Sequence, residues 1–253
     1  VILKVLGASG AEFPGCNLPA FLIDGKILLD GGTIGLRLTG AEQWNVRHIL
    51  VSHAHLDHVR GIPFLADNIL VSKRKHSITL YGLKETLSAI RENLLNDRIW
   101  PDFTKISASR DPVIKMERIS PSRPFSIGDY TVTAHKVSHT IPAVGYIVKD
   151  YRKRVLLYTG DTGPTDSIWK SSEKLNTVIA EVSFPNRMEE LARKTGHLTA
   201  RLLMAELEKI RNYPEKVYVT HPKPQYIRQI RSELERGRNM RIEMLIEGKE
   251  YEI

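Results

Sequence analysis

His53-Ala54-His55-Leu56-Asp57-His58 places four side chains able to bind a metal within six residues, directly after the apolar run His48-Ile49-Leu50-Val51-Ser52. A neutral imidazole offers one nitrogen lone pair, and a carboxylate offers hard oxygens. Packed at the end of a strand and on the turn after it, four such groups cannot all point one way. They can instead serve two metal ions side by side. A polar turn that happens to be rich in histidine is the plain alternative, and it would need no partners elsewhere in the chain.

Partners do arrive, and each follows an apolar strand at once. His53 comes after Leu50-Val51-Ser52, His139 after Lys136-Val137-Ser138, Asp161 after Leu156-Leu157-Tyr158-Thr159-Gly160, and His221 after Val217-Tyr218-Val219-Thr220. Side chains at the carboxyl ends of neighbouring strands converge on one rim of a sheet, a common place for a site. Taken alone, His139 or His221 would read as an ordinary core or surface histidine; the recurrence carries the argument. His48, His76 and His135 stay outside the set, although His135 shares strand parity with His139.

The 253 residues are 42% apolar and 26% charged, as expected of a soluble globular protein with a sizeable core. No Gly/Ser/Pro-rich linker, low-complexity tract or internal repeat divides them, so one domain over residues 1–253 is expected. No apolar run approaches the roughly 20 residues that span a bilayer, and Val1-Ile2-Leu3-Lys4-Val5-Leu6-Gly7 is too short for a signal-peptide core. A single cysteine, Cys16, excludes an internal disulfide and fits a reducing cytoplasm. The formal charge of +8 favours anionic partners such as phosphates, nucleotides or nucleic acid. The dense basic run Lys73-Arg74-Lys75-His76 reads as a solvated strand edge.

Ile2–Leu6, Ala20–Ile23 and Lys26–Leu29 read as a β-meander, with Asp24-Gly25 as a hairpin turn. Asp30-Gly31-Gly32 ends the third strand with an acid and two glycines that allow close backbone approach. Asp30 could hold a histidine of the site, or simply end a strand. Further strands are expected at Ile69–Ser72, Ile78–Tyr81, Val113–Ile119, Tyr130–Ser138, Val144–Val148, Val155–Tyr158, Val178–Val182 and Val217–Val219. Leu83, Leu87, Ile90 and Leu94 mark a helix face. Helices are also expected from Thr165 to Leu175, from a capping box at Asn186 and Glu189 to Gly196, around Leu202–Ile210, and over Tyr226–Leu234. Ile242–Ile253 reads as a final hairpin. Strands first, then mixed strand and helix without a clean βα repeat, suggest two sheets packed face to face with helices outside.

The pattern H-x-H-x-D-H at 53–58 resembles the signature of metallo-β-lactamase-fold hydrolases. That resemblance implies an α/β fold of the αββα sandwich type, two mixed sheets with helices on the outer faces. It also implies a ligand set: His53, His55 and His139 for one metal ion, Asp57, His58 and His221 for a second, and Asp161 bridging both. Mixed nitrogen and oxygen ligands suit zinc, manganese or iron. Members that bind β-lactams place a cysteine near the step at Asp161, and none stands there. Glu181-Val182-Ser183-Phe184 followed by Gly196-His197-Leu198-Thr199 resembles an arrangement in tRNA 3′-processing members, where the histidine assists the leaving group and the acid orients it. Catalytic candidates are therefore Asp57, as proton acceptor for the attacking water, with His197 and Glu181. Two ions about 3.5–4 Å apart activate such a water and clamp a phosphate.

His53-Ala54-His55-Leu56-Asp57-His58-Val59-Arg60-Gly61-Ile62 is similar to the signature of class II 3′,5′-cyclic-nucleotide phosphodiesterases. Leu29–Thr33, Ile99–Phe103, Tyr158–Gly163 and Glu181–Pro185 are similar to bacterial members, and the match departs at Pro63-Phe64-Leu65-Ala66-Asp67. The implied activity is hydrolysis of cyclic AMP or cyclic GMP to nucleoside 5′-monophosphates. The rival is tRNA 3′ processing. Its enzymes usually carry glycine where Leu56 stands, and commonly a long basic arm where His139 and Asp161 are here only 22 positions apart. A lactonase or glyoxalase-like hydrolase, and a non-catalytic metal-binding protein of the same fold, complete the alternatives. Trp100 and Phe103, in the loop Asn96–Thr104, are candidates to stack on a base, against the plainer reading that they fill core. A small cyclic nucleotide is the expected partner, nucleic acid less so, a membrane not at all; related folds form dimers, so a homodimer is a further expectation.

Overall fold

The computed structural model describes residues 1–72, 76–107, 110–170, 174–236 and 242–253. The chain opens as an antiparallel meander of β1 (Ile2–Gly7), β2 (Ala20–Ile23) and β3 (Ile27–Leu29). Asp24 and Gly25 turn it with φ of 45° and 69°, and the Lys26 N–H closes the turn on the Ile23 carbonyl at 3.0 Å. Two successive positive φ values are what a tight hairpin turn demands, which is why Asp-Gly announces it in sequence. Helix α1 (Gly40–Gln43), started by a Thr39–Glu42 capping box, leads to β4 (His48–Leu50), parallel to β3. Then come α2 (Leu56–Val59), α3 (Gly61–Val71), β5 (Ile78–Gly82), α4 (Lys84–Asn93) and β6 (Ile114–Arg118), with β5 and β6 extending the parallel half of the sheet.

The second sheet takes the next strands in chain order: β7 (Phe125–Ile127), β8 (Tyr130–Lys136), β9 (Val144–Lys149), β10 (Val155–Tyr158), β11 (Thr177–Glu181), β12 (Lys216–Thr220) and β13 (Ile242–Met244). Helices α5 (Glu189–Thr195) and α6 (Ala200–Leu207) connect β11 to β12, and α7 (Ile227–Arg236) connects β12 to β13. β14 (Glu250–Glu252) then pairs antiparallel with β1 at the edge of the first sheet. Each sheet mixes parallel and antiparallel neighbours.

Strand periodicity explains the layers. On β2, Phe21 and Ile23 point to the core shared by the two sheets, whereas Ala20 and Leu22 point to the outer core. On β10, Leu156 and Tyr158 face inward and Leu157 faces outward. Successive side chains alternate faces, so a strand buried on both sides must be apolar throughout. Leu28, Ile49 and Val51 meet Ile62, Leu65, Ile69, Leu87 and Ile90 on one outer face; Leu157, Val178 and Val217 meet Leu203, Leu207 and Ile230 on the other. Full burial of each such aliphatic contributes about 1.5–3 kcal/mol. The result is the expected αββα sandwich. No helix among the described residues is long and apolar enough to cross a membrane.

Four local expectations give way. Ile69–Ser72 is no strand: α3 runs to Val71, with Ile62, Leu65, Ala66 and Ile69 on its buried face. A short apolar run cannot by itself be told from a piece of buried helix. Of the helix expected from Thr165 to Leu175, residues 171–173 lie outside the described residues, and the described part is a turn at residues 167–170 that seats Ile168 and Trp169 in the outer core, while the Thr165 N–H donates to Glu206 Oε2 at 2.9 Å. Asn186 makes no capping box. It opens a 3-10 turn, and its Oδ1 accepts from the Arg201 N–H at 2.8 Å. Ile242–Ile253 is no hairpin, because β13 and β14 lie in different sheets and the link crosses between them. β7, too short and mixed to stand out, was not expected at all. Lys73-Arg74-Lys75 falls outside the described residues.

Candidate metal centre

The carboxyl ends of β4, β8, β10 and β12 deliver His53, His139, Asp161 and His221 to one rim between the sheets, and the first turn of α2 adds Asp57 and His58. Their donor atoms fall into two groups sharing Asp161: His53, His55, His139 and Asp161, and Asp57, His58, Asp161 and His221, each set within 4.8 Å. In the first, His53 Nε2 and His139 Nε2 stand 3.0 and 3.1 Å from His55 Nδ1. In the second, His221 Nε2 stands 3.3 Å from His58 Nε2, from Asp57 Oδ2 and from Asp161 Oδ2. His58 Nε2 is also 3.3 Å from Asp161 Oδ1, a buried oxygen to which no hydrogen bond is made.

These contacts fit divalent metal ions. Nitrogen lone pairs converge on one another and on an orphaned carboxylate oxygen, an arrangement that a bound cation between them satisfies. Electrostatics agrees at the first group. Burial, reinforced by the His58 charge, pushes His53 well below its ordinary pKa, and burial also lowers His55 and His139, leaving neutral rings able to ligate. Burial opposes charge on His58, yet the carboxylates of Asp161 and Asp30 outweigh it and lift its pKa well above the ordinary value. Burial likewise raises Asp161, but His221 and His58 hold it far below the usual carboxylate range. For Asp57, burial is outweighed by the His221 hydrogen bond and the charges of His58 and His221.

The imidazoles are held from behind. Asp30 is fully buried, and its Oδ2 accepts from His58 Nδ1 at 2.7 Å, from the Ser52 hydroxyl at 2.7 Å and from the Tyr158 hydroxyl at 2.6 Å. Ser52 Oγ in turn lies 2.9 Å from His53 Nδ1. His139 Nδ1 donates to the Gly196 carbonyl at 2.8 Å. Gly196 has φ 68°, and a Cβ there would sit 2.9 Å from His139 Cα, so glycine is required twice over. Gly32 is needed for the close approach foreseen at Asp30-Gly31-Gly32: its Cβ would lie 1.9 Å from the Asp57 carbonyl oxygen. Asp30 and His221 themselves hold left-handed φ of 55° and 64°. Such strain, about 1–3 kcal/mol per residue, persists where surrounding contacts fix it and gathers at functional sites.

Glu181 ends β11 beside this cluster, and its Oε1 accepts from His197 Nδ1 at 2.7 Å. His197 Nδ1 is 4.0 Å from Asp161 Oδ2. The structure therefore brings together His53, His55, Asp57, His58, His139, Asp161, His221, Glu181 and His197. It leaves Trp100 and Phe103 apart from them. Phe103 is 1% exposed in the outer core, with no ring face open to a base. Trp100 is half-buried, edge-on to Phe64 at 5.0 Å. His48 sits against Tyr81, and His135 is half-buried on β8 outside the cluster. Sequence reasoning overlooked Ser52, Tyr158 and Ser183. A Val-Ser step recurs at 51–52, 137–138 and 182–183, each just past a strand, but it also stands at 71–72 where a helix ends, so it does not single these residues out.

Two facing mixed sheets with a histidine–aspartate cluster on their common rim define a metallo-β-lactamase fold. A family model described as the Beta-lactamase superfamily domain matches residues 35–222, and the chain belongs to that superfamily. Over 233 residues it is 29% identical to a probable 3′,5′-cyclic-nucleotide phosphodiesterase of Yersinia pestis, covering 80% of this chain but only 66% of that protein's length. Over 237 residues it is 23% identical to a ribonuclease Z of Pyrococcus abyssi, covering 72% of this chain and 74% of that one. The crystal structure of unliganded yeast PDE1 superposes with a TM-score of 0.82 at 19% identity, covering 98% of both chains.

Proposed function

We propose that the chain is a dinuclear metal-dependent phosphodiesterase that opens 3′,5′-cyclic nucleotides to nucleoside 5′-monophosphates. His53, His55 and His139 would hold one divalent ion, Asp57, His58 and His221 the other, and Asp161 would serve both. Bound ions would supply Lewis acidity at the phosphoryl oxygens and a water acidic enough to attack at neutral pH. The chain's own groups manage the protons. Asp57 turns Oδ2 into the cluster and keeps Oδ1 to accept a proton from the attacking water. As the water oxygen bonds to phosphorus, the bond from phosphorus to O3′ breaks. His197, with Nδ1–H committed to Glu181, protonates that oxygen from Nε2, leaving a 5′-monophosphate and a free 3′-hydroxyl.

The observation that carries the phosphodiesterase part of this reading is the Glu181–His197 pair, 2.7 Å apart and beside Asp161. An alkoxide leaves poorly without a proton, and a buried imidazole braced by a carboxylate supplies one. The choice of a small cyclic substrate is supported by the connection between β9 and β10, only residues 150–154, which leaves no room for a tRNA-gripping arm. Leu56 supports it too, standing 61% exposed at the start of α2. A ribonuclease Z-like activity is the second reading, favoured by the Pyrococcus relative and by the same Glu–His pair. Metal-loaded protein offered bis-p-nitrophenyl phosphate, a lactone and a thioester tests the reaction class; turnover of the lactone or thioester alone would overturn it.

A further inference from the structure

One buried hydroxyl touches the residues that this mechanism treats separately. Ser183 Oγ lies 2.8 Å from His221 Nδ1, 3.1 Å from Glu181 Oε2 and 3.1 Å from His197 Nδ1. Ser183 is wholly buried, so water cannot stand in for any of these contacts.

A hydroxyl has one hydrogen to give, and counting protons assigns each bond. His221 aims Nε2 at Asp57 and Asp161, so its proton sits on Nδ1 and goes to Ser183 Oγ. His197 Nδ1 gives its proton to Glu181 Oε1 at 2.7 Å. Ser183 then has two acceptors for its own, Glu181 Oε2 at 3.1 Å and the His221 carbonyl at 3.2 Å, and the charged, nearer carboxylate oxygen takes it. The Thr162 and Leu198 N–H groups, at 3.1 and 3.2 Å, complete the carboxylate's partners. Every hydrogen then points one way, from His221 through Ser183 to Glu181, and from His197 to the same carboxylate.

The other sheet carries the same wiring. His53 Nδ1 gives to Ser52 Oγ, Ser52 gives to Asp30 Oδ2, and His58 Nδ1 gives to Asp30 directly. In both places a serine at a strand exit lets one carboxylate orient two imidazoles. The difference lies in what is joined. Asp30 holds two members of the metal cluster. Glu181 holds one, His221, together with His197, which lies outside the two groups that share Asp161.

We infer that Ser183 is a positioning residue that ties the His221 ring to the Glu181–His197 pair, so that the metal cluster and the proton donor are set by one carboxylate. This rests on reading His221 as a ligand and His197 as the donor. The mechanism requires both groups but does not require them to be linked.

Ser183→Ala and Ser183→Cys test it, the latter keeping the shape and a weak donor. Zinc or manganese affinity is read by chelator competition without substrate. Rates at saturating metal are then compared for cyclic AMP, whose leaving group needs a proton, and bis-p-nitrophenyl phosphate, whose leaving group does not. Losing an outer hydrogen-bond partner lowers metal affinity by roughly 10- to 100-fold. The expected result is that fall for one of the two ions in Ser183→Ala, a smaller fall in Ser183→Cys, and a rate loss on cyclic AMP exceeding that on the activated ester. Wild-type affinity with an unchanged ratio of rates in folded Ser183→Ala overturns the link. A wild-type protein that binds metal but leaves cyclic AMP intact removes the substrate reading alone; the affinity measurement then supports or overturns the link by itself.

Discussion

Glu181 Oε1 and His197 Nδ1 meet at 2.7 Å where the carboxylate is fully buried and the imidazole nearly so. Burial pulls the His197 pKa down, but the Glu181 charge and hydrogen bond outweigh it, so the ring titrates above its ordinary value of 6.5. A raised folded-state pKa keeps the donor protonated below it and loses the donor as pH rises through it. The rate on a cyclic nucleotide should therefore fall along an alkaline limb placed above pH 6.5. Glu181→Gln removes the raising charge and should move that limb to lower pH. A limb that stays in place in kcat–pH profiles would contradict the pairing's role.

His197→Ala should keep its metal and lose rate on cyclic nucleotides by about 10²–10⁴-fold, the usual worth of a positioned acid. Elemental analysis and kcat measured on one preparation check both halves. Full turnover in this variant would remove His197 from the mechanism.

Asp161→Ala should lose metal and turnover together, because Asp161 is the residue common to both donor groups. Metal content by elemental analysis after dialysis is the readout, and two ions retained per chain would contradict the bridging assignment.

Asp30 serves His58, Ser52 and Tyr158 from one buried carboxylate. Asp30→Ala strands these donors, each lost bond costing about 1–3 kcal/mol, and should weaken metal binding by roughly 10- to 100-fold. Denaturant unfolding with a chelator present isolates the first effect from metal linkage. An unchanged midpoint would show that the network does not stabilise the chain.

Phe103 fills the outer core. Phe103→Ala should destabilise by about 3–5 kcal/mol and leave the KM for cyclic nucleotide unchanged under conditions where the variant is folded. A large KM change in folded protein would return the ring to the substrate.

What could be read from sequence follows from how each signal is encoded. His53, His139, Asp161 and His221 each follow an apolar strand, so local pattern placed all four on one rim. Ser52 and Ser183 were invisible because a serine after a strand looks like any turn. Their role lies in contacts with Asp30 and Glu181 that only tertiary packing creates. The run at Ile69–Ser72 misled because three apolar residues and a serine do not separate a strand from a helix's last turn. Residues 242–253 misled because strand pattern does not say which sheet receives a strand.

The central claim is tested most directly by product analysis of metal-loaded protein given 3′,5′-cyclic AMP, with precursor tRNA in parallel. The account predicts metal-dependent conversion of cyclic AMP to 5′-AMP and intact tRNA. Untouched cyclic nucleotide, with the precursor cut at its 3′ end, would contradict it.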